Sequence, residues 1–261
     1  MAEPSVSKPS MYALYNANCF DVFPDIPDNS IDLVLCDPPY GTTACKWDSI
    51  IPLEPMWEQL KRVVTPRGAI VLTASQPFTS TLVLSNPQMW KYEWVWEKEQ
   101  GSMPMQAPYQ PIKVHETLQV FSQSASSYSS KGSMSYYPQM ASGKPYKASQ
   151  RKSGNIEFHT DPSGDHFKDN EGTRYPRSVQ FAPTQRGFHP TQKPVSLMEY
   201  LIKTYTNEGE TVLDFAMGSG TTGVACGNLN RKFIGIEKDT EHGYFDIATQ
   251  RVEASYESTP A

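Results

Sequence analysis

The chain has 261 residues, is 38% hydrophobic, 11% aromatic and 20% charged, and carries a net charge of −5, which suits one α/β catalytic domain with a modest insertion. Cys19, Cys36, Cys45 and Cys226 show neither C-x-x-C nor Cys/His metal spacing, so no disulfide framework and no metal site is expected, and their scatter fits a reducing cytoplasm. No stretch is apolar for long enough to span a bilayer, and the polar start of the chain has no apolar leader core, so no membrane partner is expected.

Met11 to Tyr15 reads as a strand, and Ile31-Asp32-Leu33-Val34-Leu35-Cys36 as its buried neighbour. At the end of that run stand Asp37, Pro38, Pro39 and Tyr40. A carboxylate and a backbone carbonyl give two acceptors for one planar amino group, the prolines stiffen the loop, and the tyrosine can stack on an aromatic base. Two acceptors on one NH₂ leave its lone pair facing an electrophile, which suits methyl transfer to a nucleobase amine. The four residues alone also fit an ordinary Pro-rich turn after a strand. Cys36 lies inside the apolar run and is read as core, not as a nucleophile.

Pro55 to Val64 is expected to be helical and closed by Thr65-Pro66-Arg67-Gly68. Ala69 to Thr73 follows as a third strand, and Phe78 to Leu84 as a helix. Tyr92 to Trp96 and Thr117 to Phe121 alternate, and with the Gly/Pro-rich loop Gly101 to Pro111 between them they suit an antiparallel pair at a sheet edge. Ser122 to Phe181 is rich in Ser, Gly, Pro and Lys, and it is long for a structureless loop.

Charge is divided unevenly. Residues 97–186 hold 11 basic and 8 acidic side chains, whereas 1–96 and 187–261 each hold 6 and 10. Lys131, Lys144, Lys147, Arg151 and Lys152 fall in one run without an acidic residue, with Tyr128, Tyr136, Tyr137 and Tyr146 in or beside it. Basic groups engage phosphates and aromatics stack on bases, so these five are candidate nucleic-acid contacts; a solvated polar loop is the plainer alternative.

In the last third, Thr211 to Phe215 reads as a strand, Ala216 to Gly223 as a glycine loop opening a helix, and Lys232 to Ile236 as a strand ending in Glu237. Gly218 and Gly220 allow close backbone approach, Gly223 allows the helix to lie near the strand, and Glu237 is placed to accept from ribose hydroxyls. The same spacing satisfies the dinucleotide pattern G-x-G-x-x-G, so NAD(P) stands as an alternative, although the unit comes late in the chain. The strands total seven and alternate with helices, predicting an α/β fold with a doubly wound, mainly parallel sheet.

Taken together, Asp37-Pro38-Pro39-Tyr40 and the loop Asp214-Phe215-Ala216-Met217-Gly218-Ser219-Gly220-Thr221-Thr222 resemble the amino-methylating DNA methyltransferases. In that family the catalytic motif reads D/S/N-P-P-Y/F/W, and the cofactor loop often reads D-P-F-x-G-S-G-T-T. Phe215-Ala216 stands here where Pro-Phe is usual. His189-Pro190-Thr191-Gln192-Lys193-Pro194, before the apolar helix Val195 to Ile202, resembles the family's segment upstream of the cofactor loop. Catalytic motif first and cofactor loop last is the order of the permuted beta group.

The resemblance implies S-adenosylmethionine as cofactor, held by Asp214, Phe215, Gly218, Ser219, Gly220, Thr221, Thr222 and Glu237, with Lys193 as a neighbour. It also implies a cofactor-adenine contact at Asn18, where family members tend to carry an acidic residue. Double-stranded DNA is the implied partner, a homodimer the implied assembly, and adenine N6 the implied target. Cytosine N4, an RNA amine and a noncatalytic DNA-binding module remain alternatives. The implied division is 11–121 for the catalytic half, 122–186 for a target-recognition insertion and 187–254 for the cofactor half.

Overall fold

The computed structural model describes residues 11–42, 48–102, 104–127, 132–147, 169–185, 187–188, 191–239 and 241–258. They divide into two compact units, Met1–Tyr137 with Ser178–Ala261, and Pro138–Arg177.

In the larger unit the chain runs β1 (Tyr12–Asn16), α1 (Cys19–Val22), a 3-10 turn, β2 (Ile31–Cys36), α2 (Leu53–Val63), β3 (Val64–Ala74), α3 (Phe78–Ser85), β4 (Trp90–Ser102) and β5 (Lys113–Phe121). The smaller unit contributes β6 (Ala141–Ser142) and β7 (Thr173–Arg174), an antiparallel pair. The larger unit then resumes with β8 (Val179–Phe181), α4 (Val195–Tyr205), β9 (Thr211–Asp214), α5 (Thr221–Asn228), β10 (Lys232–Glu237) and α6 (Tyr244–Ser258).

Eight strands lie in the order β1-β10-β9-β2-β3-β5-β4-β8. The first five are mutually parallel, and β5 is antiparallel to both β3 and β4. The seven expected strands are all present, and the eighth, β8, adds a parallel edge beside β4. Its three residues sit in a segment whose Pro- and Ser-rich composition signals turns, and only pairing with a formed neighbour makes them a strand.

Within the 122–186 segment expected to be inserted, Met134 and Ala182 are buried in the larger unit's core. Residues 138–147 and 169–177 supply the described part of the smaller unit.

Both faces of the sheet are covered. Alternation along the strands sends Val34, Cys36, Ile70 and Leu72 to the layer that meets Trp57, Leu60 and Phe78. Leu33, Leu35, Ala69 and Val71 go to the opposite layer, with Leu197, Leu201, Ala225 and Val252. This explains why β2 and β3 read as continuous apolar runs: a strand buried on both faces has no polar side to show. Each Val, Leu, Ile or Phe among them contributes about 1.5–3 kcal/mol on burial. The α2 register Met56, Trp57, Leu60, Val63 is the matching one-sided helix stripe.

The topology places the site. From β9 the chain crosses through α5 to β10 on one side, whereas from β2 it crosses through α2 to β3 on the other. Yet β2 and β9 are direct neighbours, with Leu33 opposite Val212 and Val34 opposite Leu213. The loops leaving their C-terminal ends therefore diverge and open a crevice between them, the place where sheets of this kind bind ligands.

Candidate active site

Asp37 begins the loop after β2, and its side chain is three-quarters buried. Tyr40 Oη lies 2.7 Å from Asp37 Oδ1 and 2.8 Å from Thr73 Oγ1, and Thr73 closes the triangle by donating to the same Oδ1. On the other oxygen, Lys193 Nζ donates to Oδ2 at 2.5 Å. The ring of Tyr40 stacks on Phe78, with centroids 5.4 Å apart and planes 20° off parallel. One ring face is thereby used in packing. Burial, reinforced by Asp37 and Glu116, raises the Tyr40 phenol far above its ordinary pKa, so it stays a donor.

Beyond Tyr40 the loop is clamped. Asp48, buried, accepts from Gly41 N and Thr42 N at 2.9 Å each, which seats two successive amides on one carboxylate.

The glycine loop after β9 is braced from inside. Asp214 accepts from Ala216 N at 3.2 Å and from Thr222 Oγ1 at 2.7 Å. Burial pushes its carboxyl up to about 7. Gly218 and Gly220 hold φ values of 52° and 77°, where a side chain would strain the backbone. Gly218 N donates to Glu237 Oε2 at 2.7 Å. From α6, Arg251 donates to both the carbonyl and the hydroxyl of Ser219, while its guanidinium lies 4.5 Å from the centre of the Phe188 ring.

These two loops share one cavity of about 610 Å³. Of the residues singled out in the sequence, Asn18, Asp37, Pro38, Pro39, Tyr40, Lys193, Asp214, Phe215, Gly218, Ser219, Thr221, Thr222 and Glu237 all line it. Gly220 does not; it caps α5 against Ala248, which a Cβ would meet at 3.0 Å. Asn18 caps α1 and spends its side-chain oxygen on Phe20 N at 3.1 Å, leaving that oxygen one further lone pair for a ligand. Lys193 lines the cavity, but its ammonium turns to Asp37 and, at 3.4 Å, to Glu116.

Thr73, Asp48, Glu116 and Arg251 carry no motif and were not legible. Each is an isolated polar residue that becomes part of the site only through a contact distant in sequence.

Of the candidate DNA contacts, Lys144 and Lys147 are exposed in the smaller unit, and Lys131, Arg151 and Lys152 lie outside the described residues. In that unit Arg174 donates to Asn170 Oδ1 at 2.7 Å and to the Lys144 carbonyl, with its guanidinium 4.8 Å from the Tyr146 ring centre. Tyr175 beside it is exposed.

A family model described as DNA methylase matches residues 31–250, which span both loops of the cavity. The chain belongs to this N6/N4 DNA methylase family. The methylase is 28% identical over 254 residues to the type II methyltransferase M.HpaI of Haemophilus parainfluenzae, covering 92% of this chain and 74% of that one. It is 29% identical over 266 residues to the type II methyltransferase M.BglII of Bacillus subtilis, covering 94% and 70%. Among solved structures, the complex of M1.HpyAVI with SAM matches with a TM-score of 0.61 at 24% identity, covering 92% of the methylase and 99% of that chain.

Cys36 of the methylase is buried in β2, and burial raises its thiol well above the ordinary value. It stays a protonated core residue. Among the described residues no group of three metal-ligating side chains occurs, and no helix is long and apolar enough to cross a membrane.

Proposed function

We propose that this methylase transfers a methyl group from S-adenosylmethionine to the N6 amine of adenine in duplex DNA. The observation that carries the reading is the shared cavity: an acceptor loop at the end of β2 and a glycine loop at the end of the adjacent β9 face the same 610 Å³. The residues present fit the cofactor. The walls combine apolar Phe20, Ile51 and Phe215 with the Glu237 carboxylate, a setting for a flat adenosine and its ribose hydroxyls. The shielded Nε2 of Gln192, a cavity-lining residue, makes no hydrogen bond and is a donor awaiting an acceptor.

When bound, S-adenosylmethionine supplies an electrophilic methyl group carried on a sulfonium. Glu237 would hold the ribose hydroxyls, Asn18 the adenine edge, and the Ser219 end of the glycine loop the amino-acid part. Duplex DNA hides its base amines in the stack, so the target base must be extruded, at a cost of about a few kcal/mol. Asp37 Oδ2 and the Pro38 carbonyl then accept both N–H groups of the amine and aim its lone pair into the cavity. Asp37 orients charge and geometry, and does not need to be a strong base. The proton shed by the alkylated nitrogen is shared first with Asp37 Oδ2. Tyr40, fixed on Phe78, offers its remaining ring face to the base. Asp at the head of the motif favours adenine over cytosine. The exposed Lys144, Lys147, Tyr146 and Tyr175 supply phosphate and stacking contacts.

The test is incubation with unmethylated duplex DNA and S-adenosylmethionine, followed by mass spectrometry of the digested nucleosides. N6-methyladenine that vanishes in Asp37→Ala is expected. N4-methylcytosine instead would keep the chemistry and overturn the base assignment, and absence of any methylated base would overturn both.

A further inference from the structure

Four alternating charges run in a row beneath the target-amine site. Lys98 on β4 pairs with Glu116 on β5 through Oε1, Glu116 faces Lys193, and Lys193 reaches Asp37. The row has a loose joint in its middle. Lys193 Nζ stands 2.5 Å from Asp37 Oδ2 but 3.4 Å from Glu116 Oε2, an ion-pair distance without hydrogen-bond geometry. Glu116 Oε2 is shielded from solvent and has no well-aligned hydrogen bond, facing Lys193 Nζ only across that longer, weaker contact. The far end is fixed, because Lys98 is held by Glu116 and also lies 4.6 Å over the Trp96 ring.

On Asp37 both lone pairs of Oδ1 are spent on Tyr40 and Thr73. Only Oδ2 keeps a lone pair for a target amine, and the Lys193 ammonium already holds the other one. We propose that Lys193 is a placeholder: its ammonium occupies Asp37 Oδ2 until the target amine enters, and then moves to the waiting Oε2 of Glu116. This deepens the amine-methylation reading and rests on it.

The exchange is physically economical. Lys193 is 6% exposed, and a buried ammonium or carboxylate left without a partner is strongly disfavoured. Glu116 lets the base displace Lys193 without stranding either charge, and a shift of under about 1 Å completes the new hydrogen bond. Both groups keep their charge for this. Asp37 and Glu116 together hold the Lys193 ammonium above its ordinary pKa against the opposing effect of burial. Lys193 and Lys98 hold Glu116 below its own, also against burial. Glu116 and Lys193 are thus positioning residues that act through Asp37.

The test compares single-turnover methylation of unmethylated bacterial genomic DNA by the native chain, Glu116→Gln, Lys193→Met and the double variant, with S-adenosylmethionine affinity measured on each. Glu116→Gln removes the receiving charge and traps Lys193 on Asp37, so its rate falls by about tenfold or more at unchanged cofactor affinity. Adding Lys193→Met frees Oδ2, and the double variant is faster than Glu116→Gln alone. A merely structural ion-pair row predicts the reverse, since the second lesion only adds damage. Should Glu116→Gln lose cofactor affinity, Glu116→Asp, which keeps the charge but withdraws it by one methylene, carries the same comparison. A double variant no faster than the single one, or a Glu116→Gln rate equal to native, overturns the placeholder alone. Absence of product from the native chain removes the amine-methylation reading and the placeholder with it.

Discussion

Glu237 Oε2 accepts the N–H of Gly218 at 2.7 Å, which ties the end of β10 to the loop that leaves β9. A second contact joins the same two segments, because Met217 N also donates to the Ile236 carbonyl at 3.0 Å. One carboxylate therefore does two things: it positions a glycine whose φ of 52° few other residues adopt, and it presents remaining lone pairs to a ligand.

Glu237→Gln is accordingly expected to weaken S-adenosylmethionine binding by about tenfold or more while lowering Tm little, since a neutral amide still bridges the strands. Calorimetric titration with the cofactor checks this. Unchanged affinity would remove Glu237 from the cofactor site.

Tyr40 carries two separable functions, a hydroxyl in the Asp37–Thr73 triangle and a ring stacked on Phe78. Tyr40→Phe keeps the ring and loses the hydroxyl, and its kcat is expected to fall by about tenfold. Tyr40→Ala loses both and should fall a further order of magnitude or more. Equal rates for the two variants would mean that the ring contributes nothing.

Gly223 lies in α5 where a Cβ would sit 2.6 Å from both Phe233 and Val252. Gly223→Ala should cost about 1–3 kcal/mol from overpacking, or a Tm drop of several degrees for a domain of this size. A thermal melt that matches or exceeds the native one would show that α5 can move off β10 freely.

Asp214 makes stability depend on pH. Its carboxyl is raised from 3.8 to about 7 by burial, so the folded protein binds this proton more tightly than the unfolded chain. Its contribution is complete below about pH 4 and is lost as pH rises through 7. Asp214→Asn has no such proton to lose. The Tm difference between native and Asp214→Asn should shift in favour of the variant between pH 5 and 8. A difference that stays constant across that range would mean that the carboxyl is not perturbed.

The strands were legible because burial on both faces writes itself into β2 and β3 as unbroken apolar runs, and one-face burial into α2 as a stripe. Asp37, Tyr40, Gly218 and Glu237 were legible because each occupies a fixed offset from a strand end, which is a local property of the chain. Thr73, Asp48 and Arg251 were not. Thr73 reads as one more residue of an apolar strand until pairing and twist bring its hydroxyl to Asp37, 36 positions away.

The sequence by itself determined that there would be an acceptor loop and a glycine loop, each at the C-terminal end of a strand, because strand termini and turn chemistry depend on near neighbours. Only the tertiary structure decided that β2 and β9 lie side by side, so that loops about 180 residues apart enclose one cavity. It also decided the partner of Lys193. The ammonium could have met a ligand from the same loop position, but packing of β5 against β3 brings Glu116 behind it and Asp37 in front, and a buried charge takes the partners that enclosure supplies.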